Sequence, residues 1–143
     1  MTLFDVNILV YAHRSESPFY PVISEWLKTF VKSDQTFALT SAVTAGFMRI
    51  VTHPRIYESP SDIDAATAFV QNLLERPNCT VLEPGIRHWQ LFSTLCSSLK
   101  ARGNAVPDLH LAALALEADC SFASADKGFR RIPGLKWRNP LDE

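Results

Sequence analysis

Short apolar runs alternate along the chain with longer segments in which hydrophobic residues recur every three to four positions. The short runs predict five β-strands, at Thr2–Asp5, Phe37–Thr40, Thr80–Glu83, Ser121–Ala125 and Lys136–Arg138. The longer segments predict helices between the strands. Such alternation is typical of an α/β protein, in which helices cover both faces of a mainly parallel sheet of four to five strands.

The predicted helices are placed by their periodicity and by the residues at their ends. They cover Ile8–Ala12, Pro21–Val31, the stretch from Ser41 toward His53, Ile63–Leu74, Ile86–Lys100 and the segment after Val106. Ser41 suits the N-cap of the third helix, and either Ser61 or Asp62 opens the fourth. In the last helix Pro107 suits the first position, and Asp108 adds negative charge where the helix dipole favours it.

Length and composition fit a single globular domain over residues 1–143. Hydrophobic residues make up 47% of the chain, and no apolar run approaches the roughly 20 residues that a membrane-spanning helix needs. No secretory signal is visible at the N-terminus, and the three cysteines show no CxxC spacing. We therefore expect a cytoplasmic protein with reduced thiols and no membrane association.

The formal net charge of −1 gives no electrostatic sign of nucleic-acid binding. Proteins that bind phosphates by releasing counterions usually carry a clear basic excess. If a nucleic acid is the substrate, we expect a local basic rim, a metal ion or oligomerisation to hold it. Candidate residues for such a rim are Lys28, Lys32, Arg49, Arg55, Arg87, Lys100 and Arg102.

Three widely separated aspartates, Asp5, Asp108 and Asp126, each lie near a predicted strand end or helix start. In an open α/β sheet, the carboxyl ends of the strands and the adjoining helix starts form the ligand crevice. Carboxylates that converge there repel one another unless a cation lies between them. The pattern therefore predicts a site for Mg²⁺ or Mn²⁺, which prefer oxygen ligands and keep several waters.

Each aspartate also has a simpler explanation. Asp5 could cap the next helix, Asp108 could serve only the helix dipole, and Asp126 precedes a lysine–glycine pair typical of turns. The functional interpretation therefore depends on all three together. Asn7 and Ser124 stand beside two of them, where each could orient a carboxylate or a metal-bound water, or act only as a local cap.

The histidines give no sign of a zinc site. No two of the four have the i, i+4 spacing of a helical metal pair. His110 is expected to point away from Asp108, because two residues turn a helix by about 200°. The chain also lacks a P-loop, a GxGxxG fingerprint and a GxSxG elbow, which excludes the usual signatures of nucleotide-binding proteins and serine hydrolases.

Four segments carry a family pattern in the same order along the chain. They are Phe4-Asp5-Val6-Asn7-Ile8-Leu9-Val10-Tyr11-Ala12, Arg49-Ile50-Val51-Thr52-His53-Pro54, Val106-Pro107-Asp108, and Ser124-Ala125-Asp126 followed by Phe129. Together they resemble the PIN-domain family, and within it the VapC-type toxins of bacterial toxin–antitoxin pairs. The resemblance implies an α/β/α sandwich, an endoribonuclease that depends on Mg²⁺ or Mn²⁺, a cognate antitoxin protein as inhibitor, and a homodimer.

The resemblance also implies roles for individual residues. Carried over by position, Asp5 and Asp108 are the principal metal ligands, and Asp126 is the third acid. Asn7 and Ser124 are supporting polar groups. The implied reaction is attack of a metal-activated water on an RNA phosphodiester, which leaves a 3′-hydroxyl and a 5′-phosphate.

One position departs from the family pattern. Gly46 stands three residues ahead of Arg49, where most members carry a glutamate, and its neighbours on the helical face include no acid. Either three carboxylates and more water hold the metal, or an acid from elsewhere enters, or activity is reduced. The second hypothesis is therefore a catalytically weak or inactive PIN-fold module that binds RNA or a protein. The third is a phosphatase of the haloacid-dehalogenase type, with Asp5 as nucleophile.

Overall fold

Five strands form one parallel sheet in the computed structural model, which describes residues 1–143. They are β1 (Thr2–Phe4), β2 (Phe37–Leu39), β3 (Cys79–Val81), β4 (Ser121–Ala123) and β5 (Lys136–Arg138). Their order across the sheet is β3-β2-β1-β4-β5, and every pairing is parallel. The prediction of a mainly parallel sheet is confirmed.

Six α-helices connect and cover the strands. They are α1 (Val6–His13), α2 (Tyr20–Lys32), α3 (Ser41–Val51), α4 (Ile63–Leu74), α5 (His88–Ser98) and α6 (Ala105–Glu117). Helix α1 packs against α2 and α3, and α3 packs against α4, whereas α5 packs against α6. Because parallel crossovers are right-handed, the reversal of strand order between β1 and β4 puts these two groups on opposite faces. This is the predicted α/β/α sandwich.

The first strand lies at the centre of the sheet. It pairs with β2 on one side and β4 on the other, and all three of its residues are buried. Phe4 stacks on Phe37 of β2 with 5.0 Å between ring centroids. The apolar character of this strand therefore comes from burial on both faces of the sheet, as expected for a parallel sheet.

The strands end earlier than predicted at the edge that carries the aspartates. Asp5 follows β1 as the N-cap of α1, and Thr40 follows β2 as the N-cap of α3. The prediction that Ser41 caps α3 is wrong, because Ser41 is its first helical residue. Its backbone N–H donates to the Glu83 carboxylate at 2.7 Å, so an acid from beyond β3 satisfies this helix end.

The start of α6 also differs from the prediction, whereas the start of α4 agrees with it. Helix α6 begins at Ala105, so Pro107 occupies its third position and not its first. The missing N–H is harmless there, because the first four amides of a helix have no acceptor within it. Of the two residues proposed to open α4, Asp62 is the cap, and its side chain accepts from the Asp64 backbone at 2.9 Å.

None of the helices combines the length and the apolar character that crossing a membrane requires. All three cysteines are free thiols. Cys120 is buried, and Cys79 and Cys96 are half-buried.

Candidate active site

Asp5 is held at the end of the central strand and at the start of α1. Its backbone N–H donates to the carbonyl of Ala123 on β4, at 2.9 Å. Its Oδ1 accepts from the backbone N–H of Val6 at 2.7 Å, so this oxygen caps the helix. The simpler explanation of Asp5 as a helix cap is therefore correct for one of its two oxygens.

The second oxygen of Asp5 joins a polar network. Oδ2 accepts from the Ser124 hydroxyl at 2.6 Å and from the Asn7 amide at 3.0 Å. The Ser124 Oγ in turn accepts from the Asn7 amide at 3.0 Å and from the Asp126 backbone N–H at 3.1 Å. Asn7 Oδ1 accepts from the backbone N–H of Ala125 at 3.1 Å. The two predicted supporting residues thus both donate hydrogen bonds to the Asp5 carboxylate. This carboxylate lies where the strand order reverses, which is where ligands bind in open α/β sheets.

The other two aspartates differ in exposure and in partners. Asp108 lies in the first turn of α6, is half-buried, and accepts no hydrogen bond from the protein. Asp126 is exposed, and its Oδ1 accepts from the Gly128 backbone at 2.8 Å, which begins the 3₁₀ helix Lys127–Arg131. The turn explanation is therefore correct for one Asp126 oxygen, as the cap explanation is for Asp5.

A cleft of about 400 Å³ brings Asp5 and Asp108 together. A smaller cavity of about 120 Å³ lies between Asp108 and Asp126, so Asp108 borders both spaces. The three predicted acids are thus neighbours around Asp108, although they do not line one common cavity.

Burial and the charges of neighbouring carboxylates raise the pKa values of Asp5 and Asp108. Burial raises the pKa of Asp5 to about 6, and the charges of Asp108 and Asp126 act in the same direction. The hydrogen bonds from Ser124 and Val6 oppose this shift. Burial and the nearby Asp126 also raise the pKa of Asp108. A cation between these groups would relieve their repulsion.

The donor set fits a hard metal ion in its chemistry, because every candidate ligand is a carboxylate, amide or hydroxyl oxygen. No three His, Cys, Asp or Glu side chains are arranged to hold a metal ion together. Water would fill the positions of such a cation that the carboxylates leave open. Mg²⁺ is commonly held by one or two carboxylates in this way.

The wall of the cleft opposite α6 comes from α3, through Gly46 and Arg49 among others. A Cβ atom built on Gly46 would meet only the Val6 Cγ2 atom, at 3.6 Å, which is an ordinary contact. Position 46 therefore has room for a Cβ atom. Arg49 is exposed at the same wall, as its predicted role as a phosphate contact requires.

Three residues near the site were not identified from the sequence. Glu83 caps α3 from another strand end. Arg131 lines the smaller cavity and lowers the pKa of Asp108 by its charge. The only sequence signal for Arg131 is a basic run that follows the third acid. His110 was expected to point away from Asp108, and its ring does pack against His88 of α5. The sequence did not indicate that His110 also lines the cleft that contains Asp108.

Comparisons with known proteins agree with this fold. The model of the PIN domain family matches residues 2–135. Ribonuclease VapC43 of Mycobacterium tuberculosis is 42% identical over 142 residues, which are 99% of this chain and 97% of that protein. The chain belongs to the PIN-domain family, in the group of VapC ribonucleases.

Solved structures of VapBC proteins share the fold. VapBC2 from Rickettsia felis, bound to a DNA fragment from its promoter, has a TM-score of 0.73 at 21% identity, covering 96% of this chain and 97% of that chain. VapBC-1 from nontypeable Haemophilus influenzae has a TM-score of 0.71 at 20% identity, covering 98% of each chain. The PIN-domain match and the 42% identity to a VapC ribonuclease favour the nuclease hypothesis over the phosphatase hypothesis.

Proposed function

We propose that the protein is the toxin of a toxin–antitoxin pair and an endoribonuclease that depends on Mg²⁺ or Mn²⁺. The observation that carries the proposal is the cleft shared by Asp5 and Asp108, in which neither carboxylate forms an ion pair with a basic side chain. The 42% identity to a protein named ribonuclease VapC43 supports the same conclusion. The reaction proposed for this protein would leave a 3′-hydroxyl and a 5′-phosphate.

The polar residues of the site would have different roles in the reaction. Asp5 and Asp108 would hold the cation, with Asp126 acting on it through water. Ser124 and Asn7 fix the rotamer of Asp5, because both donate to the same carboxylate oxygen. When bound, the cation would lower the pKa of a water and neutralise charge on the phosphodiester.

Two arginines would bind the phosphate groups of the RNA. Arg49 stands on the α3 wall of the cleft, and Arg131 on the far side of Asp108. Guanidinium groups bind phosphates in a bidentate manner. They would offset locally the lack of a basic excess in the whole chain.

Purified protein incubated with total RNA and Mg²⁺ or Mn²⁺ tests the proposal. We expect cleavage by the wild type and none by the Asp5→Asn/Asp108→Asn double variant. Asp34→Asn, an exposed aspartate without a side-chain hydrogen bond, is the matched control and should cleave normally. Equal cleavage by the wild type and the double variant, or no cleavage with any metal, would refute the catalytic assignment.

The second candidate is a PIN-fold module that binds RNA or protein without turnover. Gly46 favours it, because the cleft has no carboxylate on the α3 wall. Induction of the gene in a bacterial host separates the two functions. Growth arrest by a binder would persist after Asp108→Asn, whereas growth arrest by a nuclease would be lost.

A small antitoxin protein is the proposed partner, and the likeness to the VapBC structures supports it. We also propose a homodimer and a cytoplasmic location. Light scattering of the purified protein would test the dimer. Co-purification with the product of an adjacent small gene would test the antitoxin.

A further inference from the structure

A continuous strip of aromatic side chains runs from the cleft to the surface of α5. His110 on α6 lines the cleft beside Asp108. Its ring centroid lies 4.4 Å from that of His88 and 5.3 Å from that of Phe92. Trp89 extends the strip outward, with 6.0 Å between its ring centroid and that of Phe92.

The strip is exposed at its outer end and packs against a buried histidine. Trp89 is 71% exposed, Phe92 and His110 are half-buried, and His88 is 5% exposed. A ring nitrogen of His88 lies 2.9 Å from the backbone oxygen of His110, to which it hydrogen-bonds. This bond holds α5 against α6 and fixes the distance between the strip and the cleft.

Trp89 also differs from the other two tryptophans. The indole N–H groups of Trp26 and Trp137 donate to Glu143 and to the backbone oxygen of Ser124. The indole N–H of Trp89 has no partner in the protein. A large exposed aromatic ring with an unused donor is typical of a binding surface.

We propose that the aromatic strip formed by His110, Phe92 and Trp89 binds unpaired RNA bases by stacking, beside the phosphodiester held in the cleft. The inference rests on the proposed ribonuclease function and names the form of RNA that the site takes. Unpaired bases expose the faces that stack on aromatic side chains, whereas paired bases in a duplex do not.

Continuity with the cleft favours RNA over a protein as the occupant of this strip. Because the net charge is −1, counterion release from the phosphates would contribute little to the affinity for RNA. Base stacking would supply additional binding free energy. The strip also begins in the cleft of Asp5 and Asp108. An RNA strand with a phosphate in that cleft must place its neighbouring nucleotides on the cleft walls, one of which carries His110.

Fluorescence anisotropy with three labelled probes tests the inference. The probes are a single-stranded RNA of mixed sequence, its duplex, and an abasic strand of equal length. Binding is measured for Trp89→Ala, Trp89→Phe and Phe92→Leu, all in an Asp108→Asn background that prevents cleavage. The control is Ile86→Ala, which removes a fully exposed apolar side chain outside the strip. Circular dichroism and urea unfolding check that each variant is folded.

We expect Trp89→Ala to weaken binding of the single strand by about tenfold, the effect of losing one stacked base. Binding of the duplex and of the abasic strand should not change. Trp89→Phe should restore most of the lost affinity, because it restores a ring. With Asp108 intact, Trp89→Ala should raise KM and leave kcat unchanged, because stacking remote from the reacting atoms is lost equally from the ground and transition states.

Equal weakening for the single and abasic strands would overturn the inference, as would no weakening at all. A Trp89→Ala variant that binds RNA normally but loses a dimer would instead identify an interface between two copies. These outcomes leave the ribonuclease proposal intact if the parent protein cleaves RNA. A parent protein that neither binds nor cleaves RNA would overturn both.

Discussion

The Ser124 hydroxyl donates a 2.6 Å hydrogen bond to Oδ2 of Asp5, although the two residues are 119 positions apart in the chain. Ser124 is fully buried and Asp5 is 4% exposed, so water does not compete for this bond. It joins the ends of β1 and β4, the two strands between which the strand order reverses. The orientation of the principal acid therefore depends on the correct pairing of these strands.

Ser124→Ala should lower the free energy of unfolding by about 2 kcal/mol, because a hydrogen bond to a buried charged group is lost. The Asp126 backbone N–H and the Asn7 amide also lose their acceptor. Urea unfolding above pH 7 would measure the effect. The matched control is Ser121→Ala on the same strand, whose hydroxyl forms no hydrogen bond, and a similar loss for both variants would contradict the prediction.

Asp5→Asn should stabilise the metal-free protein increasingly as pH rises. Folding raises the pKa of Asp5 from 3.8 to about 6. Ionisation of Asp5 therefore favours the unfolded chain. The resulting loss of stability begins as the pH rises past the pKa of Asp5 in the unfolded chain, and it is complete above the pKa in the folded protein. The shift corresponds to a change on the order of 3 kcal/mol in the wild type–variant difference between acidic and neutral pH.

Urea unfolding with a chelator, at several pH values from about 4 to about 8, would measure this difference. Asp34→Asn is the control and should show no such trend. Added Mg²⁺ should stabilise the wild type near neutral pH and leave Asp5→Asn unchanged. A wild type–variant difference that is constant with pH would contradict the prediction.

Gly46→Glu should increase the affinity for Mn²⁺ by about tenfold, because affinity for hard cations rises with the number of carboxylates at the site. Gly46 lines the cleft, and a Cβ atom at this position would meet only Val6, at 3.6 Å, which is an ordinary contact. Isothermal titration calorimetry would measure the affinity.

Gly46→Ala separates the effect of the carboxylate from that of the backbone. It should raise the free energy of unfolding by up to about 1 kcal/mol, the usual gain when alanine replaces glycine within a helix. It should not change the affinity for Mn²⁺. Equal metal affinities for the two Gly46 variants would show that position 46 does not act on the cation.

Glu83→Ala should destabilise the protein by about 1 kcal/mol, the usual effect of removing a helix cap. The Glu83 carboxylate accepts from the Ser41 backbone and from the Thr40 hydroxyl, at 2.7 and 3.3 Å. Thermal unfolding would measure the change. Glu58→Ala removes an exposed glutamate without a hydrogen bond, and it should leave the midpoint unchanged.

The fold and the main acids could be predicted because they depend on local patterns. Short apolar runs between periodic segments identify parallel strands, and polar residues at their carboxyl ends must meet at one edge of the sheet. Asp5 and Ser124 were found in this way, although their direct hydrogen bond was not foreseen. The strand boundaries were less accurate, because the polar residue that ends a strand also caps the next helix.

The remaining contacts depend on residues that only the folded chain brings together. Glu83 caps a helix that begins at Ser41, and no pattern around either residue indicates the other. His110 lines the cleft together with residues of α3, a proximity that helical spacing from Asp108 does not reveal. Gly46 is the opposite case, because the family pattern identified the missing acid before the structure located the free space.

The position of the first strand at the centre of the sheet has a consequence for synthesis on the ribosome. Strand β1 is made first, but its partner β4 begins only at Ser121. A nascent or truncated chain that ends before β4 lacks Ser124 and Asp126 and cannot hold Asp5 in place. The acidic site is therefore completed only after β4 has been made, so a product that stops before this strand lacks two of the polar groups of the site.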